Sequence, residues 1–162
     1  MLIEAARAAR NERAQRARGG VEPGGDVYWI MRIAYPAAFL AMLVDGWLRG
    51  APRPAAVVVG AMVFALAKLV KWWAILSLGP SWTFRVIVVP GHRRVVSGPY
   101  RYLRHPNYVG VMGELVGAAF MTGAVLAGPL SIVVFTGLLV KRIAVEDRAL
   151  DGKGKRGRES FP

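Results

Sequence analysis

The sequence contains no cysteine, only two histidines and only ten acidic residues among its 162 positions. Without cysteine there are no disulfides, no thiolate chemistry and no cysteine-ligated zinc, and we assign no metal ligands. The 22 lysines and arginines outnumber these ten acidic residues, which gives a formal net charge of +12. A chain of this length is expected to form one domain.

Apolar stretches make up much of the remaining sequence. Hydrophobic residues are 54 % of the chain although 20 % of residues are charged, so the charge is concentrated between the apolar stretches. This segregation is typical of a multi-pass membrane protein. Nucleic-acid binding is the other interpretation of a strongly basic chain, but the arginines flank apolar segments and no nucleic-acid-binding module is visible. We therefore expect membrane lipids, and no nucleic acid, as partners of the basic flanks.

Four apolar runs predict an all-α integral membrane fold with about four transmembrane helices. The third and fourth runs are predicted to form a helical hairpin with its tip at Gly128-Pro129. The fourth run has too few apolar residues before Lys141 to cross a bilayer squarely, so the hairpin is expected to be tilted or bent. The four runs extend over about residues 27–48, 55–78, 107–127 and 130–145.

The basic segments define the predicted organisation: a tail over 1–26, a membrane domain over 27–150 and a flexible basic tail over 151–162. The first tail is either a short helix lying on anionic lipid or a solvated segment. Both tails and the 79–106 loop are basic, so the positive-inside rule places both termini and this loop in the cytoplasm. We expect a multi-pass protein of the cell's inner membrane.

The 79–106 loop carries the densest group of polar and aromatic residues. Residues 82–89 are expected to form a short strand or an interfacial segment. Pro106 pushes His105 out of the α-helical region and is suited to the first turn of a helix. Arg104 and His105 then lie just outside a helix start, where unpaired N–H groups attract anions and the guanidinium can hold a carboxylate. A lone histidine such as His92 is more often structural than functional.

Charged residues also occur inside the apolar runs. Glu114 lies about two turns into the third run, where a carboxylate is costly unless it is paired or faces a wet cavity, so it is a candidate functional residue. Lys68 and Lys71 share one face of the second run, and they either snorkel to the cytoplasmic surface or face a polar cavity.

A stripe of glycines follows the third run. Gly110, Gly113 and Gly117 lie on one helix face, which lets either a neighbouring helix or a ligand approach closely. We expect Gly110 and Gly113 to form the floor of a pocket whose walls include Arg104, His105 and Glu146.

The end of the hairpin carries a second group of charges. Arg142 and Glu146 are spaced i, i+4 and are able to pair. Glu146 and Asp147 are predicted to end the hairpin at the same membrane face as Arg104. A fixed arginine with two carboxylates suits a zwitterionic amino-acid group that carries a further positive charge, and S-adenosylmethionine is such a ligand.

Residues 92–110, H-R-R-V-V-S-G-P-Y-R-Y-L-R-H-P-N-Y-V-G, resemble the core motif of the isoprenylcysteine carboxyl methyltransferase family, which is itself similar to the membrane phospholipid methyltransferases. The family's R-x-x-x-E-E-x-x-L ending is matched by residues 142–150, with Asp147 in place of the second Glu. Order, spacing and the hairpin between the motifs match over about residues 75–150. The chain departs from the family after this point, because residues 151–162 lack the usual tyrosine-bearing aromatic segment.

The resemblance implies a membrane-embedded methyltransferase that uses S-adenosylmethionine at the cytoplasmic face. Its candidate catalytic residues are Arg104, which would position a carboxylate acceptor, and His105 or Glu114, which would act as a base for a phenol, amine or thiol. The residues implied to contact the cofactor are His92, Val96 (which replaces the common Thr), Gly98, Tyr100, Arg104, His105, Tyr108, Gly110, Glu146 and Asp147.

The acceptor is expected to be a lipophilic small molecule that enters from the bilayer. A prenylated cysteine carboxylate, an isoprenoid or polyketide acid or phenol, and a phospholipid amine all remain open. O-methylation is the favoured reaction, and phospholipid N-methylation is one alternative. The other alternative is a catalytically degenerate membrane scaffold of the same fold.

Overall fold

The structure is a computed structural model of the chain, and it describes residues 2–91 and 95–156. These residues form α-helices joined by short turns, and no β-strand occurs among them, so the predicted all-α class is confirmed for this part of the chain. Two 3-10 turns, Gly79–Ser81 and Gly98–Arg101, lie in the loop after the third helix. The helices are α1 Leu2–Ala17, α2 Tyr28–Arg49, α3 Pro54–Leu78, α4 Pro106–Thr122 and α5 Ala127–Arg156.

Within the described residues, three helical segments are long and apolar enough to cross a membrane: Tyr28–Arg49, Pro54–Ser81 and Ala127–Ala149. The prediction that the fourth run has too few apolar residues to cross squarely is therefore wrong in length and composition, because its helix continues without a break past Lys141, and the predicted tilt or bend of the hairpin stays a prediction. The helix before it, α4, has 17 residues, or about 26 Å at about 1.5 Å per residue, against a hydrocarbon core of about 30 Å. The count of four transmembrane helices stays a prediction.

The turn of the hairpin lies earlier than predicted. Helix α4 ends at Thr122, and Gly123 follows in the left-handed conformation with φ +67°. Gly128-Pro129, the predicted tip, instead lies in the first turn of α5. A proline is tolerated there because the first N–H groups of a helix have no intrahelical acceptor.

The start of α5 is capped by α2. Asp45 Oδ2 accepts hydrogen bonds from the N–H groups of Leu126 and Ala127 at 2.8 and 2.9 Å. Asp45 also pairs with Arg49, one turn later on α2, at 2.7 Å. A carboxylate at this position satisfies the unpaired donors of the helix start.

The chain divides into two compact units. The terminal unit comprises Met1–Trp29, Leu78–Arg94 and Val140–Pro162, and the central unit comprises Ile30–Ser77 and Val95–Leu139. The predicted domain boundaries after residues 26 and 150 stay predictions. Helix α5 continues to Arg156, and the rest of the predicted flexible tail, 157–162, lies outside the described residues.

In the terminal unit, α1 packs on the segment that follows α3. Asn11 Nδ2 donates to the carbonyls of Gly79 and Trp82 at 2.9 and 2.8 Å. Gln15 Nε2 donates to the Pro80 carbonyl at 3.0 Å. The helical alternative for the N-terminal tail is thus confirmed over Leu2–Ala17, whereas contact of its outer face with lipid stays a prediction. The buried face of α1 comprises Glu4, Ala8, Asn11 and Gln15.

Of the two alternatives for residues 82–89, the short strand is wrong, because only an isolated bridge forms there, and the interfacial segment stays a prediction. Val21 and Val88 exchange two backbone hydrogen bonds of 3.1 and 3.0 Å. Aromatic packing holds the rest of this segment: Trp82 is buried and lies edge-to-face against Phe84, with 5.2 Å between ring centroids. Phe84 in turn stacks on Tyr28 with a centroid distance of 6.5 Å.

In the central unit, α3 and α4 approach each other along the glycine stripe. A Cβ added to Gly110 would lie 2.7 Å from Lys71 Cβ, and one added to Gly113 would lie 2.7 Å from Ala67 Cβ. Gly117 faces α3 in the same way. Of the two alternatives for this stripe, close helix packing is confirmed. The pocket floor expected at Gly110 and Gly113 stays a prediction.

The apolar core of the central unit joins α2, α4 and α5. Its largest fully buried side chains include Met42 on α2 and Leu115 on α4. Glu114 is buried beside this core, so the core positions a charged residue as well as apolar ones. The cluster comprises Ala38, Met42, Leu115, Ala118, Ala124, Phe135 and Leu139.

Candidate functional site

Residues 95–105, which we call the motif loop, pack against the end of α3 at Gly98. Its φ is +58°, in the left-handed region that favours glycine. A Cβ at this position would lie 2.1 Å from Ser77 Oγ and 3.2 Å from Trp73 Nε1. Only glycine therefore fits, and it fixes the 3-10 turn that carries half-buried Tyr100.

The R-H-P-N-Y stretch forms the start of α4, as the proline predicted. His105 is the N-cap residue with φ −133° and ψ 60°, and Pro106 is the first helical residue. The His105 carbonyl accepts the N–H groups of Tyr108 and Val109 at 3.1 and 3.3 Å. The imidazole stacks on the Tyr108 ring with 5.4 Å between centroids and 13° between planes. Arg104 is exposed just before this helix start.

Asn107 is a candidate residue that sequence reasoning missed. It stands at the variable position of the family motif, so the motif itself gives no signal for it. Its Oδ1 is buried and has no hydrogen-bond partner among the described residues. Buried side-chain acceptors are nearly always satisfied, so this oxygen marks a place where a ligand donor fits.

Glu114 lies in a buried ionic cluster between α2, α3 and α4. Its side chain is 1 % exposed, and its two oxygens lie 2.8 Å from Lys68 Nζ and 3.3 Å from Lys71 Nζ. The Tyr35 hydroxyl donates to the same carboxylate. Lys71 is 4 % exposed and pairs with Glu114, so for this lysine the snorkelling alternative is wrong, whereas the polar cavity of the other alternative stays a prediction.

Aromatic rings surround this cluster. Lys71 Nζ lies 5.5 Å from the Tyr35 ring centroid, and Lys68 Nζ lies 5.7 Å from that of Phe64. Phe39 and Phe135 pack against Tyr35 with centroid distances of 5.0 and 5.3 Å. Buried charges are costly unless paired, and cation–π contacts add to the pairing. The arrangement places ammonium and phenol donors around one carboxylate, which stabilises a charged side chain inside an apolar bundle.

In the terminal unit, Arg142 has partners that the i, i+4 spacing did not predict. Its guanidinium is buried, lies 3.1 Å from Asp26 Oδ1 and also donates to the Phe84 carbonyl. Glu146 and Asp147 are half-buried on the next turn of α5. Because they belong to a different unit from His105, their predicted meeting with it stays a prediction.

A second charge network in the terminal unit involves Glu22. Arg85 Nη1 donates to both Glu22 oxygens at 2.9 and 3.0 Å, and Arg16 donates to one of them at 2.8 Å. Burial raises the pKa of Glu22, but the hydrogen bonds from Arg16 and Arg85 outweigh it and lower the pKa below its ordinary value. The Arg85 guanidinium also lies 4.8 Å from the Tyr28 ring centroid.

Two predicted cofactor-contacting residues are left to place, and only one of them is described by the structure. His92 lies outside the described residues. Val96 is 70 % exposed in the motif loop. The predicted site residues of the central unit, all on the motif loop or α4, are Val96, Gly98, Tyr100, Arg104, His105, Tyr108, Gly110 and Glu114.

Comparison with known proteins identifies the class to which this helical arrangement belongs. The model of the isoprenylcysteine carboxyl methyltransferase (ICMT) family matches residues 58–152. This match covers more than half of the chain, from α3 through the motif loop and α4 to the last turns of α5. The chain therefore belongs to the isoprenylcysteine carboxyl methyltransferase family, which confirms the resemblance seen in its motifs.

Three relatives illustrate the range of similarity. The uncharacterized protein YpbQ of Bacillus subtilis is 32 % identical over 148 residues, which cover 91 % of this chain and 88 % of that protein. An uncharacterized protein of Haemophilus influenzae is 24 % identical over 142 residues, covering 87 % and 83 % of the two chains. A protein of Oryza sativa subsp. indica named "Probable protein-S-isoprenylcysteine O-methyltransferase" is 33 % identical over 95 residues, covering 55 % and 48 %. No solved structure matches this chain.

Proposed function

We propose that this chain is an S-adenosylmethionine-dependent methyltransferase of the inner membrane that methylates an oxygen of a lipophilic acceptor. One observation carries the proposal: the R-H-P-N-Y motif of the family forms the start of α4, and the buried cluster around Glu114 lies about two turns further along the same helix. A cofactor site and a polar site for an acceptor are thus supported by one rigid element.

The start of α4 fits the amino-acid end of the cofactor. The Arg104 guanidinium, just before this helix start, is suited to a carboxylate. The buried Asn107 Oδ1, with no partner in the described part of the chain, is suited to an ammonium donor. Glu146 and Asp147 supply negative charge for a cationic ligand. The proposed contacts are those implied by the family motif together with Asn107: His92, Val96, Gly98, Tyr100, Arg104, His105, Asn107, Tyr108, Gly110, Glu146 and Asp147.

The cofactor would supply an electrophilic methyl group on a sulfonium. The protein's part is alignment and exclusion of water, an effect that reaches about 7–11 kcal/mol in well-oriented systems. Arg104 orients a carboxylate acceptor, and His105 is placed at the helix start to take the proton of a hydroxyl acceptor. The Glu114 cluster holds the polar end of the acceptor inside the bundle.

Oxygen is the favoured acceptor atom for a chemical reason. Arg104 beside the motif, and Lys68, Lys71 and Tyr35 around Glu114, present polar hydrogens, and such donors orient the lone pairs of an acceptor oxygen. A phospholipid amine is protonated at neutral pH and must lose a proton before its lone pair can attack the methyl group. The proposal therefore ranks O-methylation above N-methylation.

The experiment is calorimetry with S-adenosylmethionine on detergent-purified protein. We expect binding by the wild type and weaker binding by Arg104→Ala. Arg101→Ala is the matched control, because it removes another exposed arginine from the same loop. Absence of binding at millimolar cofactor by folded protein would contradict the proposal.

The acceptor is identified by a second measurement. Methyl-labelled cofactor is incubated with protein and a lipid extract, and the labelled product is analysed. A methyl ester or methyl ether is expected. A methylated amine would replace the proposal with phospholipid N-methylation, and binding without transfer to any lipid would favour the scaffold alternative.

A further inference from the structure

Asp26 connects three separate parts of the terminal unit through one buried carboxylate. Its side chain is 4 % exposed. Oδ1 accepts the N–H of Tyr28 at 3.1 Å, at the start of α2. Oδ2 accepts the N–H of Val86 at 3.1 Å, from a segment 60 residues away. Oδ1 also pairs with Arg142 at 3.1 Å, 116 residues away.

The contact with Arg142 fixes the last turns of α5. Arg142 is 6 % exposed, and its second nitrogen donates to the Phe84 carbonyl. Next to this pair, a Cβ on Gly25 would lie 4.0 Å from Val145 Cγ2. The Gly25-Asp26 segment therefore contacts α5 at Arg142 and lies near Val145, the residue just before Glu146.

The contact between Asp26 and Val86 holds the segment that precedes the motif loop. Phe84 and Val86 are held by Arg142 and Asp26 respectively, and the chain then continues towards the motif loop. One carboxylate thus holds both the segment before the motif loop and the helix turn that leads to Glu146.

We infer that Asp26 is a positioning residue that sets the affinity for S-adenosylmethionine by fixing the α5 turn that carries Glu146. Asp26 lies outside the residues 58–152 that the family model matches. The N-terminal part of this chain thus contributes to the proposed site through Arg142. The inference rests on the proposed function, because it assumes that Glu146 contacts the cofactor.

The test compares Asp26→Asn with Glu22→Gln in the full chain. Both changes remove one carboxylate charge from the same segment, but Glu22 pairs with Arg85 and Arg16 and not with Arg142 within the described contacts. The affinity for S-adenosylmethionine is measured by calorimetry well below each melting temperature. Amide hydrogen exchange of residues 143–149 is measured on the same samples.

We expect Asp26→Asn to weaken cofactor binding about tenfold, since small displacements of a positioned group have effects of this order or larger. Exchange in 143–149 should become about tenfold faster because the turn opens more often. Glu22→Gln should leave the affinity within about twofold of the wild type and the exchange unchanged. A purely structural role would lower the melting temperature of Asp26→Asn without changing the affinity.

Arg142→Lys is the second variant, in case Asp26→Asn does not fold. It keeps the charge next to Asp26 but loses the fork that also reaches Phe84, so about threefold weaker binding is expected. A folded variant of either kind that binds within twofold of the wild type, or that shows unchanged exchange in 143–149, would overturn the inference. If the wild type binds no cofactor, the proposed function fails, whereas the exchange data still decide whether Asp26 holds α5.

Discussion

Gly117 offers a direct test of the close packing between α3 and α4. A Cβ at this position would lie 2.7 Å from the Phe64 backbone nitrogen and 2.8 Å from the Gly60 carbonyl oxygen. These distances are about 0.7 Å shorter than ordinary van der Waals contact. Both neighbours are backbone atoms of α3, so no side-chain rotation relieves the overlap, and the two helices must move apart.

Two opposing effects determine how much the Gly117→Ala substitution changes the free energy of unfolding. Overpacking a well-packed interface costs about 1–3 kcal/mol. Replacing glycine by alanine inside a helix contributes about 0.5–1 kcal/mol in the opposite direction. We therefore expect Gly117→Ala to be less stable than the wild type by about 1–2 kcal/mol.

Gly137→Ala is the matched control. Gly137 also lies inside a helix, α5, but an added Cβ would meet nothing within 4 Å. Only the higher helix propensity of alanine remains, so the free energy of unfolding of this variant should rise by about 0.5–1 kcal/mol. Stability is measured by the loss of far-ultraviolet circular dichroism in a titration from mild detergent into sodium dodecyl sulfate. Equal or greater stability of Gly117→Ala than of wild type would refute the helix contact.

Three further predictions concern stability and orientation. The stability advantage of wild type over Glu22→Gln should be full at neutral pH, because the folded-state pKa of Glu22 is lowered. The advantage should be lost as the pH falls below the ordinary carboxyl pKa of 4.5 and through the lowered folded-state pKa. A pH-independent advantage would contradict the network with Arg85. Asp45→Ala should lower the melting temperature more than Asp45→Asn, which keeps an acceptor oxygen for the start of α5; equal effects would argue against capping. Because the chain has no cysteine, single-cysteine variants report orientation: Arg53→Cys should react with a membrane-impermeant maleimide in spheroplasts, and Arg101→Cys only after permeabilisation.

Local patterns in the sequence predicted the elements with local causes. The first two long helices begin and end within a few residues of the predicted runs, because charge and proline bound each apolar stretch. The start of α4 was predictable because Pro106 restricts both itself and His105. The hairpin tip was placed wrongly because a Gly-Pro pair signals a turn and the first turn of a helix equally well.

The contacts that define the candidate site were beyond local patterns. Tyr35 lies 79 residues from Glu114 along the chain, and no periodicity links the two. The i, i+4 rule gives no indication of Asp26, which lies against Arg142 from 116 residues away. No sequence pattern indicated Asn107, because it became a candidate only when its buried oxygen was found to have no hydrogen-bond donor among the described residues.

The contacts of Asn11 and Gln15 determine when α1 can dock during synthesis of the chain. Their side chains bind carbonyls that are up to 71 residues downstream, and α2 and α3 lie between. At about 5–20 residues per second, α1 leaves the ribosome several seconds before its partner carbonyls exist. Docking of α1 is therefore possible only after both intervening helices have been synthesised, and a chain that ends before Gly79 leaves these two amides without their carbonyl partners.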